Sequence, residues 1–255
     1  MGWFDPKCPV DVETKDWLDG AFTWLVGEFG IDSLREVEMV LPIEEFFPAP
    51  YDGSEASIVI MAEQICEYMD VDPGSLRLKF YQNETGAEIH PLAAPEEGSH
   101  ALGTYQVGSD GKYHISLDTS QAVNAEAFIA TIAHELGHVI LLGEDRLDPE
   151  YPDHELMTDL VVVFYGLGIF SANSIFSFEQ YTNSMGQGWR AERRGYITEE
   201  MCGYSLALFT LARKEPKPVW TNYLNRNVRT YMNQSLKFLA NAENFPAELA
   251  AHLNA

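Results

Sequence analysis

Asn124-Ala-Glu-Ala-Phe-Ile-Ala-Thr-Ile-Ala-His134-Glu-Leu-Gly-His138-Val-Ile-Leu-Leu-Gly143 is the stretch on which the reading of this chain turns. Asn124 suits a helix cap, Gly143 suits a helix stop, and between them the ionisable residues are Glu126, His134, Glu135 and His138. Residues four apart on an α-helix are separated by about 400°, so both imidazoles leave one face, a turn apart, at a distance that suits a single metal ion. Glu135 stands about 100° round from His134, near enough to reach a metal-bound water without becoming a ligand. A neutral imidazole pair favours zinc-like ions, and a carboxylate beside the water can take its proton. Thr131, Ile132, Ala133, Leu136, Gly137, Val139 and Ile140 around the motif are uncharged, as in a helix that runs through a core with its polar face on a cleft. Two histidines that merely satisfy core hydrogen bonds would leave Glu135 unexplained, because an unpaired buried carboxylate is costly.

A catalytic zinc usually takes three protein ligands and one water, so a third ligand is needed nearby. Downstream lies Asp153-His-Glu155-Leu-Met-Thr-Asp159, with Asp153 placed to cap a helix that continues through the apolar Leu160–Phe164 to about Gly166. Glu155 and Asp159 share one face of that helix. Glu155 is the expected metal ligand, and Asp159 the acceptor for the free ring N–H of a ligand histidine, which fixes its tautomer. His154 is an alternative third ligand, one residue off the carboxylate face.

HExxH followed by ExxxD on the next helix resembles the glutamate-type zincin metallopeptidases (gluzincins, thermolysin-like). The matching positions are His134, Glu135, His138, Glu155 and Asp159, within residues 113–166. The whole chain is also similar to bacterial HExxH proteins of undefined function. The first resemblance implies one Zn2+ per chain, a peptide or protein substrate, and an edge strand above the metal that holds extended substrate. Tyr113-His-Ile-Ser-Leu-Asp118 stands where that strand should be. It also implies a Tyr or His that stabilises the oxyanion, for which His154, Tyr165, Tyr151 and Tyr196 are the candidates. Leu141 and Glu144 occupy the places of the metzincin Gly and third His, so that subclass is not matched. His90, His100, His114 and His252 have no partner at metal spacing.

The rest of the chain sets this motif in an α+β order. Residues 12–27 repeat at helical spacing and stop at Gly27 and Gly30; a Pro-rich connector follows; Ser54 caps a helix through Met69. Leu76–Tyr81, Ala101–Val107 and Tyr113–Asp118 alternate as strands, the last two forming a hairpin across Gly108–Gly111. After the motif, Thr198 opens a helix closing at Arg213-Lys214, and another spans Asn222–Leu239. Leu160–Phe178 carries no charge over a bilayer-like length, but Gly166, Gly168, Ser171, Asn173, Ser174 and Ser177 interrupt it. It reads as a buried helix followed by a packed loop. Trp17, Trp24 and Met201–Phe209 read as core.

Sixteen Lys and Arg against 39 Asp and Glu give a net charge of −23, which argues against nucleic acid and anionic membrane as partners. Residues 1–189 hold 7 basic and 33 acidic residues, residues 190–255 hold 9 and 6. Arg190, Arg193, Arg194, Arg213 and Lys214 either lie against the acidic body or line a solvated surface. Cys8, Cys66 and Cys202 are an odd number, far apart, which favours a reducing compartment, and the N-terminus carries neither a secretory pattern nor a strong myristoylation site.

These readings combine into a single α+β domain over 1–255: N-terminal helices and connector (1–70), a minimal zincin-like core of a small sheet, active-site helix and glutamate helix (73–168), and a C-terminal helical extension (169–255). The expected function is a cytoplasmic zinc-dependent metallopeptidase that hydrolyses peptide bonds with a zinc-activated water and Glu135 as general base. A non-proteolytic zinc-binding regulatory or interaction domain of zincin-like fold is the alternative, and an interaction protein in which HExxH is accidental is the third. Oligomeric state is not legible in the sequence.

Overall fold

Asp11, Ser54, Asn124 and Thr198 each precede a helix and accept a hydrogen bond from the backbone N–H three residues on. The helix starts are thus fixed by local side-chain chemistry. The computed structural model describes residues 6–82, 103–183, 197–215 and 218–254. In order come α1 (Val12–Phe29), α2 (Ile31–Glu36), α3 (Glu55–Tyr68), β1 (Leu76–Tyr81), β2 (Gly103–Val107), β3 (Tyr113–Asp118) and α4 (Ala125–His138), which runs on through a π-helical turn, Val139–Gly143. Then follow α5 (His154–Phe164), α6 (Gly168–Asn183), α7 (Glu199–Ala212), α8 (Arg226–Leu239) and α9 (Ala247–Asn254). Among the described residues the protein is mixed α+β, about 60% helical with one three-stranded sheet.

The expected hairpin forms, with β2 antiparallel to β3. The strand expected from Ala101 is described from Gly103. The sheet order is β1-β3-β2, however, and β1 pairs parallel with β3, so Tyr113–Asp118 is the central strand and not an edge. Its side chains agree: Ile115 and Leu117 are fully buried, whereas β1 alternates half-buried with exposed residues as an edge does. β2 is the edge on the side of α4.

Residues 160–178 also differ from expectation. In place of a helix and a packed loop there are two helices, α5 and α6, broken at Gly166, whose φ of +80° favours glycine and where a Cβ would run into the Glu38 carbonyl. The polar residues that suggested a loop are absorbed inside α6. Ser174 is buried, and Asn173 receives the Asn225 N–H and donates to the Tyr223 carbonyl, which ties α6 to the start of α8. Before α8, residues 219–223 form a separate 3-10 turn, so the helix starts at Arg226 and not Asn222.

The buried apolar side chains form one contiguous cluster from Leu18 to Leu249, and Leu160–Phe164 at its centre are wholly buried. Among the described residues, one helical run, Ala125–Gly143, is long and apolar enough to cross a membrane, and 72% of its apolar window is buried inside the fold. The three cysteines are free. Arg213 lies at the C-terminal end of α2, donating to the Leu34 and Val37 carbonyls, stacking over Phe209 and pairing with Glu215 at 3.8 Å. Arg190, Arg193 and Arg194 fall outside the described residues.

Candidate metal centre

Gly137 brings α4 and α5 together, for a Cβ there would meet the Thr158 methyl at 2.7 Å. This close approach sets Thr158 and Asp159 behind the two histidines. Asp159 Oδ1 lies 2.9 Å from His134 Nδ1 and Thr158 Oγ1 lies 3.2 Å from His138 Nδ1. The Thr158 hydroxyl donates its own proton to the His154 carbonyl at 2.8 Å, so toward His138 it accepts. Both Nδ1 atoms are therefore donors, and both Nε2 atoms point the other way.

They point at Glu155. Its Oε2 is 3.0 Å from His134 Nε2 and 3.5 Å from His138 Nε2, while the two rings meet edge-on with centroids 4.9 Å apart. Tetrahedral zinc with bonds of about 2.0–2.2 Å sets its N and O ligands roughly 3.3 Å apart, so the spacing fits one ion between these three atoms. His134, His138 and Glu155 form a group with one ligand atom each, all within 4.8 Å of one another. The donor set, two imidazoles and one carboxylate with a fixed tautomer behind each ring, suits zinc-like ions.

Electrostatics bind the trio tightly. Burial works against charge on His134, but its hydrogen bonds to Asp159 and Glu155 override that and raise its pKa well above the ordinary value. Burial likewise pushes Glu155 up, and the bonds from His134 and His138 overcome it and hold the carboxyl well below its usual range. His138, backed by a hydroxyl and not a carboxylate, is lowered by burial. Glu135 is 4% exposed; burial pushes it up to about 7, with His134 pulling down and Glu155 adding to the rise. Its Oε2 is buried without a hydrogen-bond partner among the described residues.

The three expected ligands, His134, His138 and Glu155, thus meet there, Glu135 stands beside them, and Asp159 accepts from His134 as expected. Asp159 does more: its Oδ2 takes the Ile197 N–H at 3.0 Å, which anchors the lead-in to α7 on the His134 side of the core. Asp153 stands at the cap position of α5 but caps nothing there. Its carboxylate accepts instead from the Trp17 indole N–H at 3.0 Å, linking α1 to the glutamate helix. Two contributors are new. Thr158 could have been found as the hydroxyl between Glu155 and Asp159; Tyr105 on β2, whose ring stacks on His138 at 6.0 Å, leaves no local signal in the sequence.

Of the oxyanion candidates, His154 lies beside the centre, its ring 6.0 Å from that of His138. Tyr165 packs instead on Phe29 and Phe164, and Tyr151 packs against the apolar core. Tyr196, His90 and His100 lie outside the described residues. His114 pairs with Asp110 at 3.0 Å and the His252 ring lies beside Gly27, both apart from the centre. A separate cleft, lined by Pro42, Phe47, Tyr51, Met61, Ile129 and Phe170, opens on the N-terminal half of α4 and includes none of the metal-facing side chains. No family model, curated protein or solved structure matches this chain.

Proposed function

We propose that this chain is a zinc-dependent metallopeptidase with a zincin-like core made by α4, α5 and the β1-β3-β2 sheet, working on peptide or protein substrates in the reducing cytoplasm. The observation that carries the reading is the convergence of His134 Nε2, His138 Nε2 and Glu155 Oε2 beside a buried carboxyl, Glu135, with an oxygen left unbonded. A zinc ion held by those three atoms would supply Lewis acidity, lowering the pKa of a water and polarising the scissile carbonyl. Glu135 takes the proton from the attacking water and passes it to the leaving amine nitrogen, so the carboxylate is regenerated with each turnover. Asp159 and Thr158 hold the imidazoles in register. Extended substrate lies along β2, the edge strand that carries Tyr105, and not along the central β3.

A purely structural zinc site has no task for a carboxylate in the position of Glu135, which favours hydrolysis over a binding role. The test uses zinc-loaded full chain incubated with a mixture of proteome-derived peptides, with new termini read by mass spectrometry. Wild type produces new termini, and Glu135→Gln loses about 10²–10⁴-fold in rate with its zinc content intact. Full activity in Glu135→Gln contradicts the mechanism.

A further inference from the structure

We propose that His154 is a positioning residue of the metal centre, its Nδ1–H held for the second oxygen of Glu155 so that the carboxylate offers one oxygen, and not two, to the metal. The inference rests on the metal site assigned above.

Glu155 divides its oxygens. Oε2 faces both ligand imidazoles, while Oε1 faces His154 Nδ1 at 3.6 Å. That nitrogen is buried and has no hydrogen-bond partner among the described residues, although the His154 side chain as a whole is 31% exposed. The exposure falls on other atoms of the side chain, so solvent does not satisfy Nδ1. A buried donor left unbonded costs about 1–3 kcal/mol, and Oε1 is a charged acceptor only a few tenths of an ångström beyond bonding range. A small rotation of the Glu155 carboxylate closes the bond. His154 is itself held on its other side: its backbone carbonyl receives the Thr158 hydroxyl, the same hydroxyl that accepts from His138 Nδ1. One short network therefore fixes a ligand imidazole, the residue before the ligand carboxylate, and the donor aimed at that carboxylate.

The chemical consequence concerns coordination number. A carboxylate with both oxygens unrestrained can chelate a cation and fill the position a water needs, whereas a donor on Oε1 leaves Oε2 as the single ligand atom. The imidazole serves as an N–H donor in this role, and the same role is open to an asparagine amide, whose Nδ2 takes nearly the place of Nδ1.

The experiment compares wild type, His154→Ala, His154→Asn and His154→Gln as full chains. Zinc affinity is read by competition with a chelating dye, and the visible spectrum is read after loading with cobalt. His154→Ala should bind zinc about 10–100-fold more weakly and show a weaker cobalt absorption as the coordination number rises. His154→Asn should restore both readouts, and His154→Gln, whose amide reaches too far, should not. Should His154→Ala fail to fold, the Asn and Gln pair decides between the same outcomes. Unchanged affinity and spectrum in His154→Ala overturn the proposal while leaving the metal site standing. Loss of the metal in both His154→Ala and His154→Asn makes His154 a ligand and also overturns it. Wild type that takes up neither zinc nor cobalt removes the metal site and this inference with it.

Discussion

Lys15, Asp19 and Tyr204 make one polar cluster between α1 and α7, with Asp19 and Tyr204 buried and Lys15 at its rim; His134, His138, Glu155, Thr158 and Asp159 make another, between α4 and α5. In the first, the Tyr204 hydroxyl donates to Asp19 Oδ1 at 2.8 Å and Lys15 Nζ donates to Oδ2 at 2.7 Å. Burial raises the pKa of Asp19 and of Tyr204, yet every group faces another and nothing points at a common spot. In the second, Asp159 and Thr158 satisfy the backs of the imidazoles, and the opposite nitrogens converge with a carboxylate oxygen. Burial and shifted pKa values are common to both. Convergence of ligand atoms on one point is what separates a candidate metal centre from a structural polar cluster, and the variants below pull that difference apart.

Metal removal should divide the clusters most. Zinc in excess should stabilise wild type by about 4 kcal/mol at 1,000 times its Kd, seen as a rise in Tm, and should leave Glu155→Ala unmoved. An equal shift in both would show zinc acting elsewhere. Asp159→Ala removes the acceptor for both His134 and Ile197; it should weaken zinc binding about 10–100-fold and lower stability by about 1–3 kcal/mol in a denaturant titration. In the other cluster, Tyr204→Phe should cost a similar 1–3 kcal/mol and leave zinc stoichiometry as in wild type. The smallest effect is expected of Thr158→Ser, which keeps the hydroxyl behind His138 and loses one buried methyl: about 0.8 kcal/mol of stability, with unchanged zinc affinity in dye competition.

The local part of this architecture is legible in the sequence, and the non-local part is not. Asn124 and the four-residue spacings of His134/His138 and Glu155/Asp159 act within one or two helical turns, so helix, face and tautomer partner can be read from residue order, whereas Gly137 matters through Thr158 on the neighbouring helix. The place of β3 depends on β1 joining it in parallel, a pairing between segments far apart that local alternation of side chains does not encode. Asp153 shows the same limit from a single residue. Its position predicts a cap, but Trp17, 136 residues away, offers an indole N–H that its carboxylate takes instead. The helix α6 was hidden by its serines and Asn173, whose hydrogen bonds are found only once α8 packs alongside. Tyr105 is silent for the same reason: its ring reaches His138 through the sheet.

The most direct test of the central claim is the metal content of untagged protein, purified without added metal, by elemental mass spectrometry, with Glu155→Ala prepared alongside. About one zinc per wild-type chain, and markedly less in the variant, is the predicted result. No bound metal in wild type, with no uptake when zinc is added, would contradict it.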